Sequence, residues 1–295
     1  NMPGYVVIQD PRGAPVNGAA IWSNGYLPAA YQGIRLSPGA EPFRHLNIPK
    51  GVTPATHRRK LELLRRLNEQ HRATREHQSE LEARIRSYEL AYRMQATAPE
   101  AVDLSRESEA TKRLYGFGNQ DTEPFGRCCL LARRMVERGV RFVQCSHSYK
   151  WDQHGNLRGG HTANAREVDQ PIAALIRDLR QRGMLDETLV VWGTEFGRTP
   201  VAQGSDGRDH NPYGFTMWMA GGGVKGGMAY GSTDELGGAA VENKVHVKDI
   251  HATVLNQLGF DHEQLTYRTG GRDFRLTQPT RTLPQGGQVV EGILA

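Results

Sequence analysis

The sequence predicts an α/β protein: a parallel or mixed sheet with helices on both faces, plus a helical insertion. Three observations predict it. The second half alternates short β-rich runs with helical periodicities, in the order strand, helix, strand, strand, helix. The run Leu189-Val190-Val191-Trp192 stops on Gly193, Thr194 and Glu195, as a buried strand of a parallel sheet does. The 295 residues suffice for one large α/β domain, or for a domain with a smaller appendage.

Residues 1–52 are rich in Gly, Pro and Asn and read as a loop-rich N-terminal part of the core. They hold one short strand, Tyr5-Val6-Val7-Ile8. Residues 53–124 read as a helical insertion or cap. Thr53 and Pro54 supply an N-cap and a first helical position. Leu64, Leu67 and His71 share one face, and Leu81, Ile85, Tyr88 and Tyr92 form another stripe, so helix is predicted to about residue 95. The polar stretch 70–80 between them fits two antiparallel helices or one interrupted helix. Residues 99–123 read as a connector with short helical pieces.

Residues 125–295 read as the C-terminal part of the α/β core. A helix is predicted over 125–138, stopped by Gly139, and a strand over 141–145. A long helix follows over 162–182, with Val168, Ile172, Leu175, Ile176 and Leu179 on its apolar stripe and Gly183 past its end. Next come the strand to Thr194, a polar loop to Pro212, a strand over 215–220 and a turn over 221–227. A helix over 248–258, closed by Gly259, precedes a loop-rich remainder.

The net charge of +5 is mild, and pairs such as Arg58-Arg59-Lys60 and Arg65-Arg66 are interleaved with Glu62 and Glu69, as on a solvated helix face. No basic and aromatic platform accompanies them, so no nucleic-acid partner is expected. No apolar stretch is long enough for a membrane span, and no signal peptide opens the chain. With Asn1 first and Met2 directly before Pro3-Gly4-Tyr5, the chain is expected to be part of a longer protein. Cys128, Cys129 and Cys145 form no C-x-x-C pair and read as buried free thiols.

Three loops carry the chemistry. Asp152-Gln153-His154, with His161 beyond Gly159-Gly160, brings a carboxylate and imidazoles together after a strand. Such ligands suit Zn, Mn or Mg better than a redox centre. Glu195 ends the apolar run, where charge is costly unless paired with a cation or metal. Arg208-Asp209-His210-Asn211-Pro212 is the third cluster. Each loop alone also reads as a polar turn; Arg198 is a ready partner for Glu195, and Asp209 can bond its own backbone. Together they predict a metal site. The Gly221–227 stretch with Lys225 lacks the Ser or Thr of a phosphate loop, and no G-x-S-x-G elbow occurs.

From Arg141 to about Gly259 the chain resembles the alkaline phosphatase and sulfatase superfamily. The resemblance rests on Asp152 and His154 after a strand, on Gly183-Met184-Leu185-Asp186-Glu187-Thr188 before the next, on His210-Asn211-Pro212, and on the helix from Lys248 through Asp249 to Thr253. The whole chain is similar to an uncharacterised bacterial sulfatase-like family, a domain of unknown function. The similarity is carried by Glu195-Phe196-Gly197-Arg198-Thr199-Pro200, Gly207-Arg208-Asp209-His210, Leu265-Thr266-Tyr267-Arg268 and Gly271-Arg272-Asp273-Phe274.

The resemblance implies an alkaline-phosphatase-like sheet whose first core strand, with its aspartate and nucleophile, is missing from this chain. It implies a metal-dependent hydrolase of sulfate or phosphate esters, acting on a small-molecule or polysaccharide ester, exported to the periplasm or cell surface. The divalent metal would be Zn, Mn, Mg or Ca, held by Asp152, His154 and His210, with Glu195 and His161 as further ligands or proton-transfer groups. Arg198 and Arg208 would bind the anion; no nucleophile is assigned. The superfamily's Asp-His pair is here Glu195-Phe196, which leaves one metal position short of a ligand. That departure favours the alternative, a non-catalytic protein of the same fold binding an anionic ligand such as a sulfated polysaccharide.

Overall fold

The computed structural model describes residues 2–12, 17–25, 27–39, 42–43, 51–73, 85, 88–90, 92, 94, 98–147, 149–281 and 283–295. The fold is mixed α/β and divides into two units, residues 1–150 with 165–175, and residues 151–164 with 176–295. Among the described residues no helix is long and apolar enough to cross a membrane.

The first unit is built on a parallel sheet in the order β2 (Ile34–Leu36), β1 (Tyr5–Gln9), β3 (Phe142–Ser146). Val6, Val7 and Ile8 of the central strand are fully buried, as the near-continuous apolar run of a parallel strand requires. Helix α1 (Pro54–Ala73) begins as predicted, with Thr53 Oγ1 accepting from Thr56 N at 3.1 Å, but buries none of its residues. Of its partner stripe, Leu81 lies outside the described residues. Tyr92 accepts from Arg58 Nε at 3.2 Å through its hydroxyl.

Helix α2 (Glu109–Leu114) is capped by Ser108, and α3 (Glu123–Glu137) lies against β1 and β3. Phe125, Cys128, Cys129, Leu130, Leu131 and Met135 form the buried stripe of α3, and Gly139 ends it at φ 83°. The three cysteines are free thiols, as the sequence predicts. Arg133 and Arg134 of α3 are buried too, and both meet Glu107: Arg133 Nη2 lies 2.8 Å from Oε1, and Arg134 pairs with the same oxygen. Arg134 also donates to Ala101 O at 2.8 Å and Glu100 O at 2.7 Å. Burial alone would raise the Glu107 carboxyl, but the two guanidiniums hold it below the usual range.

A second ionic cluster sits where β1 and β3 end. The Asp10 carboxylate, fully buried, accepts Arg12 Nε and Nη2 at 3.0 Å each. Glu167 Oε2 takes Arg12 Nη1 at 2.6 Å and His147 Nε2 at 2.9 Å, and Oε1 takes Lys150 Nζ at 3.0 Å. His147 Nε2 is also 3.6 Å from Asp10 Oδ2, and its ring meets Phe125 edge-on. Burial favours the neutral imidazole and lowers the His147 pKa, against the pull of Glu167 and Asp10. Burial would raise both carboxyls, but their cationic partners keep them low.

These directions set a pH dependence. A histidine with a depressed folded pKa stabilises fully above its unfolded value of 6.5 and loses that contribution as pH falls. The depressed carboxylates stabilise above 3.8 for Asp10 and 4.5 for Glu167, and fail as pH falls through their folded values. The urea midpoint is expected to fall in two stages on acidification, the first starting near pH 6.5. His147→Gln should shrink the first stage and leave the second unchanged; His251, whose pKa burial also lowers, supplies the remainder of the first. A single drop below pH 5 in both proteins would contradict this.

The second unit holds the ends of α4 (Leu157–Gln181), while residues 165–175 of that helix belong to the first. The helix starts five residues before the expected position 162, so Gly159 and Gly160 lie inside it. They are there for space: a Cβ at Gly159 would meet Asn156 Oδ1 at 2.4 Å, and one at Gly160 would meet Gln153 Cγ at 2.7 Å. Glycine here permits close packing of the preceding loop on the first turn.

The apolar run before Glu195 also differs from expectation. Only β4 (Val190–Trp192) is strand, and it pairs antiparallel with β7 (Trp218–Ala220). Val191 and Trp192 are exposed, so this is not a buried parallel strand. The run of β-formers was legible, but its pairing partner is not encoded in its own residues. The remaining strands form small antiparallel pairs: β5 (Gly197–Arg198) with β6 (His210–Asn211), β8 (Ser232–Thr233) with β9 (Ala240–Glu242), and β10 (Thr266–Thr269) with β11 (Arg272–Arg275). Helix α5 (Val247–Gln257) opens on a capping box of His246 and Asp249. The β10–β11 hairpin was not predicted; its turn is Gly270-Gly271, both at positive φ.

Candidate metal centre

Two loops of the second unit build the site. The first, Asp152-Gln153-His154-Gly155-Asn156, leads into α4 with Asn156 in the left-handed conformation at φ 50°. The second runs from β5 to β6, whose register sets Arg198 opposite His210, so the two side chains share one face. The loops are clipped together: Arg208 N donates to the backbone Gln153 O at 3.0 Å, and Asn156 N to the side-chain Asp206 Oδ1 at 3.0 Å. Gly207 allows this approach, because a Cβ there would stand 1.9 Å from His154 O.

The result brings Asp152, His154 and His210 together. One ligand atom from each lies within 4.8 Å of the others. Asp152 Oδ1 is 3.1 Å from His154 Nε2 and 3.1 Å from His210 Nε2, and the two nitrogens are 3.1 Å apart. His154 Nδ1 donates to Gln203 Oε1 at 2.6 Å, which leaves the Nε2 lone pair facing the other two groups. Lone pairs converging this closely repel unless a proton or cation sits between them. The donor set, one hard oxygen and two imidazoles, suits a divalent ion.

Phe196 takes a part the sequence did not reveal. Its ring centroid is 4.2 Å from that of His210, and the His154 ring centroid lies 4.8 Å from that of His210. Where the resemblance led to a missing ligand, the structure places an aromatic support for a ligand. Gln203 was also missed; nothing in its loop sequence distinguishes it from any other polar turn residue.

Arg198 closes the group. Its Nη2 donates to Asp152 Oδ1 at 2.6 Å, its Nη1 is buried without a hydrogen-bond partner among the described residues, and its Cζ stands 5.6 Å from the Phe196 ring centroid. This guanidinium first, and His210 as well, holds the Asp152 carboxyl below the usual range. The other expected residues are not brought in. Glu195 accepts from its neighbour Thr194 Oγ1 at 2.7 Å and lies outside the group of possible ligands. His161 sits on α4 edge-on to Trp151, with ring centroids 5.4 Å apart. Arg208 Nη1 donates to Gly207 O at 2.8 Å.

Gln203→Leu is expected to lower cation affinity about 10- to 100-fold, the usual loss when the partner that orients a histidine ligand is removed. Calorimetric titration with zinc checks it; unchanged affinity would mean that Gln203 does not set the His154 tautomer.

Residues 1–286 match the family described as "Protein of unknown function (DUF1501)". No curated protein and no solved structure matches the chain. These findings overturn the placement in the alkaline phosphatase and sulfatase superfamily, for which they provide no support. The chain belongs to the DUF1501 family, and that family fixes no activity.

Proposed function

Because membership of this family assigns no chemistry, we propose from the site alone that the protein is a metal-dependent hydrolase of sulfate or phosphate esters. The observation that carries the proposal is the convergence of Asp152 Oδ1, His154 Nε2 and His210 Nε2 beside a guanidinium with an unused N–H. The ligands fit a single divalent cation, and the buried Arg198 Nη1 fits an anionic oxygen. A divalent cation supplies Lewis acidity, neutralising charge on the ester oxygens and lowering the pKa of a water nucleophile.

The chain's own residues do the rest. Asp152 gives the cation a charged oxygen, and Gln203 keeps His154 in the tautomer that can coordinate. Phe196 keeps the His210 ring in place. Arg198 offers parallel N–H groups, a match for two oxygens of a sulfate or phosphate group. The side chains of Asp152, His154 and His210 are 51%, 41% and 43% exposed, so the site is open. An open site admits an ester on a large carrier, such as a polysaccharide, as readily as a small one.

The test is hydrolysis of an aryl sulfate and an aryl phosphate by chelator-treated protein, with zinc, manganese, magnesium or calcium restored in turn. Cation-dependent turnover that Asp152→Ala removes is the expected result. Cation and sulfate binding without turnover would favour the non-catalytic reading, an anionic-ligand protein. Turnover unaffected by chelation or by Asp152→Ala would sink the proposal.

A further inference from the structure

Arg198 is held by one group and unsatisfied at another. Its Nη2 lies 2.6 Å from Asp152 Oδ1, and its Nη1 is buried with no hydrogen-bond partner among the described residues. Asp152 Oδ1 is also the oxygen that faces both imidazole Nε2 atoms at 3.1 Å. A cation among these three ligands would therefore meet the Arg198 guanidinium at one oxygen, two positive charges side by side. A carboxylate oxygen at the focus of two imidazoles serves a divalent ion better than a monovalent guanidinium, because the ion lies within reach of all three donors. A guanidinium displaced from Asp152 then has two N–H groups to satisfy, Nη1 and Nη2. The Phe196 ring beside its Cζ keeps the plane of the guanidinium at the site.

Building on the metal reading of this site, we propose that Arg198 exchanges partners. Without a cation it neutralises Asp152. When a cation takes the carboxylate, Arg198 turns both N–H groups to an oxyanion of the sulfate or phosphate class bound next to the ion. Cation and anion then bind cooperatively, and linkage requires each to tighten the other by the same factor. Asp152 thereby keeps the arginine from holding anions at a site that lacks its metal.

The experiment is calorimetric titration of inorganic sulfate into chelator-treated wild type, Asp152→Ala, Asp152→Asn and the double variant Asp152→Ala/Arg198→Gln, and into zinc-loaded wild type. Circular dichroism confirms the fold of each. The metal-free wild type is expected to bind sulfate weakly, with zinc tightening it by about tenfold, a typical coupling. Both single Asp152 variants should gain a similar factor without metal, and the double variant should lose that gain. No gain in either single variant, or a gain that survives removal of Arg198, would overturn the exchange. Failure of zinc to bind the wild type would instead overturn the metal reading, while the metal-free arms still judge Arg198.

Discussion

Alanine in place of His210 is expected to weaken divalent-cation binding by more than the roughly 100-fold that loss of a mere supporting partner costs. Among the described residues three ligand atoms meet at the site, so losing one leaves a carboxylate oxygen and a single imidazole. The protein should stay folded. His210 has a side chain 43% exposed, and such surface substitutions usually change stability by no more than about 0.5 kcal/mol. Zinc titration gives the affinity, and a thermal melt of the metal-free protein gives the fold. The loss should be larger than for Gln203→Leu, which keeps all three ligands. A His210→Ala protein binding zinc as tightly as wild type would exclude this histidine as a ligand.

The second large effect lies far from the chemistry. Glu107→Gln is expected to destabilise the protein by about 3–5 kcal/mol, the usual cost of breaking a buried ion pair from one side. Two guanidiniums share that carboxylate, and the side chains of Glu107, Arg133 and Arg134 are only 7%, 1% and 6% exposed. Glutamine keeps the shape but removes the charge, leaving Arg134 a buried cation with only backbone carbonyls as acceptors and Arg133 with Glu137 alone, at 2.7 Å, as its carboxylate among the described residues. Arg106→Ala is the control: its partner Glu100 and Arg106 itself are 61% and 59% exposed, and such pairs contribute at most about 1 kcal/mol. Urea unfolding of both variants checks the contrast. A Glu107→Gln midpoint no lower than that of Arg106→Ala would show that Glu137 and the backbone carbonyls suffice for the two arginines.

The elements with strong periodicity were legible in the sequence. The apolar run Tyr5 to Ile8 gave the central strand β1, Thr53-Pro54 gave the start of α1, and Gly139 and Gly259 gave the ends of α3 and α5. Glycine misled where it served packing. Gly159 and Gly160 read as a loop before a helix that in fact includes them, because the side chains that need their space, Asn156 and Gln153, come from the preceding turn. The run ending near Glu195 showed β propensity but not its antiparallel partner β7.

At the site, Asp152, His154 and His210 were readable because three chemistry-bearing loops were unlikely to be independent accidents. Gln203 and Phe196 act only through the residues they touch, and such contacts leave no mark on local sequence. The step from family strings to a superfamily went furthest astray. Those strings belong to a family without an assigned activity, and the position where the superfamily pattern has histidine holds Phe196. The same rule that drew attention to Glu195, a charge just past an apolar strand, applied with better reason to Asp10. That carboxylate does follow a buried parallel strand, and it anchors the ionic cluster with Arg12.

The most direct test of the metal centre is anomalous diffraction from crystals of the protein soaked in zinc. The expected result is one dominant peak about 2.0–2.2 Å from Asp152 Oδ1, His154 Nε2 and His210 Nε2, with Arg198 turned away from the carboxylate. A peak bound by other residues, with these three side chains unchanged and Arg198 still on Asp152, would contradict it.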